Sequence, residues 1–177
     1  MLFETDKKES FNSRKTRIVF NILPVYRGTR AKLKFVSSDW QEVHILLPLS
    51  RLTRNIAGSV FGGSIYSSID PVYMFMLIKT LGEKFVVWDK GAQINFIRPA
   101  RTSLKTKLFL SNETIEKIKA DVLSNKEIII DLPLEYLDDN NKVCARITKI
   151  IYIADKDHYS EKRRFKGHSG EYKLKVW

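Results

Sequence analysis

Between Ile56 and Ile78 the chain reads IAGSVFGGSIYSSIDPVYMFMLI, with Asp70 as its single charged residue. No other feature restricts the fold so strongly, because a segment this apolar must be enclosed by lipid or by the rest of the protein. Its length is nearly that of a membrane span. Asp70, Pro71, Gly58, Gly62, Gly63 and several serines lie inside it, however, and such groups are costly in hydrocarbon. The segment is therefore read as buried core, and no transmembrane helix is expected. Its continuation, VYMFMLIKTLG, is apolar on every face and needs neighbours all round, with Gly82 as a C-terminal cap.

The rest of the sequence supplies those neighbours. NSRKTRIVFNILPVY carries apolar residues at 18, 19, 22 and 23 with basic residues opposite, which predicts an amphipathic helix ending near Pro24. TRAKLKFV alternates Ala31, Leu33 and Phe35 with charged residues, and WQEVHILLPL follows across a Ser-Ser-Asp turn as its hairpin partner. Beyond the apolar segment, FVVWDKGAQINFIRPA turns Ala92, Ile94 and Phe96 one way and Gln93 and Asn95 the other, ending at Pro99. TSLKTKLFL reads as a further strand. NETIEKIKADVLSNK reads as a short helix capped by Ser111 or Asn112, with Glu113 and Lys117 one turn apart. KEIIIDLPLEYL, a DDNN turn and KVCARITKIIYIA form a last hairpin, and Pro133 puts its strand at an edge or a bulge. One helix enclosed by a curling antiparallel sheet defines an α+β fold.

At 177 residues the chain suits a single core. Residues 1–24 form the N-terminal helical segment, 25–154 the main domain, and 155–177 a basic, aperiodic tail expected to be mobile. Cys144 is the only cysteine, so no internal disulfide forms and a reducing, cytoplasmic setting is expected. The opening MLFETDKKES meets charge after three residues and does not read as a signal peptide. The net charge of +11 is patchy: Phe11 to Lys34 holds seven basic residues and no acid. Such a field attracts polyanions, whether nucleic acid, anionic membrane or a phosphate-rich cofactor such as coenzyme A.

The enclosed helix following the first strands, the pattern N-x-x-G-x-x-x-GG at its head, the aspartate further in, and NFIRPA closing the next strand together resemble the hotdog fold. They are similar to PaaI-like acyl-CoA thioesterases. They are more similar still to a related, uncharacterised family of thioesterase-like hotdog proteins, whose signature stretches FGGSIYSSIDPVYMFMLIKTLG and FVVWDKGAQINFIRP resemble. The resemblance spans roughly residues 20–154. It implies a homodimer, or a dimer of dimers, acting on an acyl-CoA-type substrate without a cofactor.

Chemistry can then be placed on the apolar segment. First-turn amides at Gly62 and Gly63 lack intrahelical partners and sit at the positive end of the helix dipole, so they could polarise a thioester carbonyl. Close packing of helix on sheet would ask for the same glycines. Asp70 lies eight residues beyond Gly62, roughly 12 Å along a continuous helix, too far to serve a carbonyl held at that helix start. A two-fold partner could bring its own helix start alongside. The resemblance assigns Asp70 as general base or nucleophile from the opposite subunit, with the amides of Gly63 and Ser64 as donors. The alternative is structural: Asp followed by Pro is a favoured pair for starting a fresh helical segment.

By the same resemblance Asn55 orients substrate or water, where the bare residue reads as an ordinary turn. Phe61 departs from the pattern, since PaaI-like enzymes carry histidine there. It is assigned with Gly62 and Ser67 to substrate binding, although serines in such a helix often bond their own carbonyls. Arg98 and Arg101, flanking Pro99, suit the phosphates of coenzyme A. His44, His158 and His168 are dispersed, and neither a metal site nor a Ser-His-Asp triad can be assembled from them. The leading expectation is acyl thioester hydrolysis; the alternative is a non-catalytic acyl-CoA or fatty-acyl binding protein. Nucleic acid is not expected as a partner, because no recognition motif accompanies the basic stretches.

Overall fold

The computed structural model describes residues 2–165. Helix α1 (Phe11–Ile22) leads through α2 (Pro24–Thr29) into strands β1 (Lys32–Val36) and β2 (Glu42–Leu47). Helices α3 (Gly62–Ser67) and α4 (Val72–Leu81) follow, then β3 (Phe85–Phe96) and β4 (Leu104–Phe109). Helix α5 (Asn112–Asn125), β5 (Glu127–Leu137), β6 (Val143–Asp155) and α6 (Lys156–Phe165) complete the order. All six strands join one antiparallel sheet in the order β1-β2-β4-β5-β6-β3.

The sheet is tightly paired at both ends and nearly open in the middle, where β4 and β5 are in register only at Lys105 and Leu137. Pro133 lies on the open stretch of β5, so its missing N–H leaves no ladder bond unmade, and its carbonyl accepts from the Tyr73 hydroxyl at 2.9 Å. One face of the sheet buries Ile45, Leu47, Leu104, Leu108, Ile147 and Ile151 against Ile65, Ile69, Met76 and Leu77 of the helical segment.

The apolar run forms two helices. Four residues, Ser68 to Pro71, separate α3 from α4. Pro71 has no N–H to give to a preceding turn, and the residue before a proline is pushed out of the helical region. Ser68 bonds the Ile65 carbonyl at 2.7 Å and the buried Tyr136 hydroxyl at 2.6 Å, fixing the break against β5. Gly82 closes α4 at φ 86°, a left-handed conformation that glycine adopts without a side-chain clash.

Three local readings change. In α1 the buried residues are Ser13 and Phe20, whereas Ile18 and Ile22 face solvent. The helix is held instead by Asn21, whose carboxamide pairs with both backbone groups of Leu33 (3.0 and 2.9 Å), and by Phe20 stacked on Tyr26. In α5 the ion pairs are Lys117–Asp121 and Lys119–Glu116 rather than Glu113 with Lys117. Finally, residues 156–165 of the expected tail are the helix α6, tied to β5 by Lys162 on Glu127. A surface helix burying no residue leaves no hydrophobic period to read. The remainder of that tail, 166–177, lies outside the described residues.

Candidate active site

The head of α3 is set by a braced loop. The Thr53 hydroxyl donates to the Pro48 carbonyl, the Thr53 carbonyl accepts from the Phe61 amide at 2.7 Å, and the Val60 amide reaches the Ala100 carbonyl at 2.9 Å. Asn55 holds the loop from inside: its carboxamide exchanges bonds with the hydroxyl and amide of Ser59. These bonds hold Asn55 in the turn at the head of α3.

Phe61 occupies the N-cap position with extended backbone and no side-chain cap. Its carbonyl accepts from Ser64 at 3.0 Å and Ile65 at 3.2 Å, so the Ser64 amide is engaged and drops out as an oxyanion donor. The amides of Gly62 and Gly63 have no acceptor among the described residues. Aromatic rings flank both. A Cβ at Gly62 would stand 2.8 Å from Phe96 Cζ, and one at Gly63 would stand 2.9 Å from Phe61 Cζ. Both rings are exposed, so a side chain at either position would displace a ring and not the backbone. Ser67 bonds back to the Ser64 carbonyl at 3.3 Å, as serines in helices often do.

Asp70 does not cap α4. The N-cap position is Pro71, without a side-chain bond, and the Asp70 carboxylate turns to the sheet. There it lies 3.6 Å from the Nζ of Lys149. Lys149 is fully enclosed, and its Nζ also lies 3.0 Å from Asp89 Oδ1 and above the ring of Tyr66. Asp70 itself is half exposed. A buried ammonium is tolerated only with counter-charge, which the two carboxylates supply. Among the described residues the Lys149 Nζ and both Asp89 oxygens make no hydrogen bond, so the cluster is bound by charge more than by directed bonds.

Burial is the main cause that pushes the Asp89 carboxyl up to about 6; Lys149 pulls it back, and Asp70 raises it further. Asp70 is also felt by Tyr26 of α2, whose hydroxyl burial and the neighbouring carboxylate hold above the usual phenol range.

Asp89 and Lys149 were absent from the sequence reading, yet Lys149 carried a signal. In ARITKIIYIA it falls in phase with Ala145, Ile147, Ile151 and Ile153, on the inward face of β6. Asp89 was hidden by a bulge. The register shift between Asp89 and Gly91 switches the inward set from Val87 and Asp89 to Ala92 and Ile94.

Of the two arginines, Arg101 lies beside the loop, its Nη1 3.8 Å from where a Cβ on Gly58 would be. Arg98 is drawn to Asp138 in the β5–β6 turn, with Nη2 3.7 Å from the carboxylate. Asp70, Lys149 and Asp89 form one group, and Asn55, Phe61, Gly62 and Gly63 another at the opposite end of α3.

A curled antiparallel sheet wrapped around the helical segment defines the hotdog fold. The chain belongs to the family described as a domain of unknown function (DUF4442), whose model matches residues 12–153. Solved structures share the fold. A Pseudomonas aeruginosa protein of unknown function, named a probable thioesterase, superposes with TM-score 0.72 at 15% identity, covering 83% of this chain and 98% of its own. A Chlorobaculum tepidum protein of unknown function gives 0.65 at 13% identity, covering 81% and 94%. A Haemophilus influenzae thioesterase gives 0.60 at 13% identity, covering 88% and 96%. No curated protein matches the sequence.

Proposed function

We propose that this protein hydrolyses acyl thioesters, with an acyl-CoA as substrate, at a site completed between two copies of the chain. Asp70 is the general base. It accepts a proton from water as the water oxygen attacks the thioester carbonyl. The carbonyl oxygen becomes an oxyanion received by the Gly62 and Gly63 amides; its collapse breaks the C–S bond, and the leaving thiolate takes the proton back from Asp70 to give a carboxylic acid, a thiol and the free carboxylate base. The observation that carries this reading is that Asp70 is left half exposed beside an enclosed lysine, although no helix cap requires an acid there.

The glycines and Asp70 lie at opposite ends of α3, so the base of one copy would serve the amides of another. In support, β3 is one of the two edge strands, with β1 at the other edge, and has backbone groups to offer to a partner. Arg101, beside the glycine loop, is the better placed arginine for a coenzyme A phosphate; Arg98 and Ser67 would contribute only at the periphery. Among the described residues no helix is long and apolar enough to cross a membrane, and Cys144 is a buried free thiol. A cytoplasmic setting is part of this proposal.

Binding without hydrolysis is a second reading, favoured by the rings of Phe61 and Phe96 over the two glycines. Thiol release from acyl-CoAs of graded chain length tests the pair. Turnover on any of them supports hydrolysis. Saturable binding with no thiol released transfers the site to the second reading, and neither turnover nor binding would end both.

A further inference from the structure

Helix α1 turns an apolar stripe outward. At about 100° per residue, Phe11, Ile18 and Ile22 fall within about 40° of one another, with Ser13 and Phe20 on the opposite, buried side. Phe11 is 82% exposed and Ile22 63%, and exposed Val25 continues the stripe on α2. Arg14 and Lys15 flank it on either side, both exposed. A surface helix is normally apolar inward and polar outward; this one presents hydrocarbon framed by cations.

We infer that this face of α1 docks the protein onto an anionic phospholipid surface, the three side chains entering the interface while Arg14 and Lys15 meet headgroup phosphates. Charge selects this occupant. From Phe11 to Lys34 there are seven basic residues and no acid. The neighbouring acid, Glu9, is already bound to Arg17 at 2.7 Å and lies 3.7 Å from Arg14. A second copy packed face to face about a two-fold axis would set these cations against themselves. A nucleic acid would satisfy the cations but cover the stripe with phosphate and sugar. A bilayer bearing acidic headgroups meets both demands, hydrocarbon within and negative charge at the surface.

The position of the face adds a consequence. Phe20 on the buried side stacks on Tyr26 with ring centroids 3.9 Å apart, and Tyr26 lies within the field of Asp70. Docking through α1 would bring the bilayer, where long-chain acyl thioesters partition, to the side of the molecule that carries Tyr26. That consequence rests on the proposed hydrolysis; the docking itself does not.

The test is flotation of the full chain with vesicles of phosphatidylcholine, alone or with phosphatidylserine, at low and moderate salt. Binding is expected on the phosphatidylserine vesicles and weakens with salt. Ile22→Asp and Lys15→Glu, both at exposed positions, should each lower it by about tenfold or more while leaving the thermal melt unchanged. Equal binding to both vesicle types, or none to either, overturns the proposal. So does self-association abolished by Ile22→Asp, which would give the stripe to a second copy, or RNA binding that competes with vesicles and ignores Ile22→Asp. Acyl-CoA turnover is not a readout here, so failure of the hydrolytic reading would leave this result standing.

Discussion

Lys149 and Asp89 face each other across neighbouring strands, Nζ 3.0 Å from Oδ1, with the lysine wholly enclosed and the carboxyl largely so. Neither strand needs a charge at that position for its own sake, since the flanking inward residues, Val87, Ile147 and Ile151, are all apolar. Two buried charges opposed in this way cost desolvation that a pair of apolar side chains would avoid. What the pair does is hold a positive charge 3.6 Å from Asp70. In the proposed mechanism Lys149 and Asp89 are positioning residues, and Asp70 is the group that meets water.

Removing the lysine should expose that cost. Lys149→Met leaves Asp89 buried without its counter-charge, and a loss of about 3 kcal/mol is expected in urea unfolding at neutral pH. Lys149→Met combined with Asp89→Asn leaves no buried charge on either strand and should recover most of it. Equal instability of the single and double variants would show that the loss comes from packing alone.

The titration of Asp89 has a defined sign. Its carboxyl is raised from 3.8 to about 6 in the folded protein, so between those values the folded state holds a proton that the unfolded chain releases. Asp89 therefore contributes stability at low pH that is lost as pH rises through about 6. Other carboxyls act oppositely: Glu9 and Glu42 are held low despite burial, by Arg17 and Val36 and by Thr5, Lys107 and His44 respectively. The clean observable is the difference between wild type and Asp89→Asn. Thermal melts from pH 4 to 7 should give a difference curve falling in favour of the variant with rising pH. A flat difference would place Asp89 at its ordinary value.

Phe61 stands where related enzymes of this fold are expected to carry a hydrogen-bonding residue. Its side chain is largely exposed, so Phe61→His should fold with little change in stability. If the proposed chemistry holds, a donor beside the glycine amides should raise kcat for acyl-CoA hydrolysis, by up to about tenfold for one added bond to the developing charge. If the protein only binds, the variant alters affinity and releases no thiol.

Much of the architecture was legible because it depends on local pattern. The last hairpin follows from the alternation along the middle of β6, the hairpin from Lys32 to Leu47 follows from two short apolar strands about a Ser-Ser-Asp turn although β2 is buried at nearly every position, and Ser111 caps α5 by accepting from Thr114. The apolar run could be read as enclosed. Its break could be placed at Pro71, but not the direction of the Asp70 side chain, since Asp-Pro suits a cap equally well and only the buried lysine on β6 decides otherwise. Ile18 and Ile22 mislead for a related reason. Apolar spacing marks a face without saying whether protein or solvent lies beyond it, and here Asn21 and Phe20 hold the helix from the other side.

The most direct measurement compares wild type with Asp70→Asn in thiol release from an acyl-CoA that the wild type turns over, alongside melts of both proteins. Asn keeps the shape, and because Asp70 caps no helix the fold should survive. Loss of the base should lower kcat by about a hundredfold or more. Turnover by the folded Asn variant at the wild-type rate would contradict the assignment of Asp70.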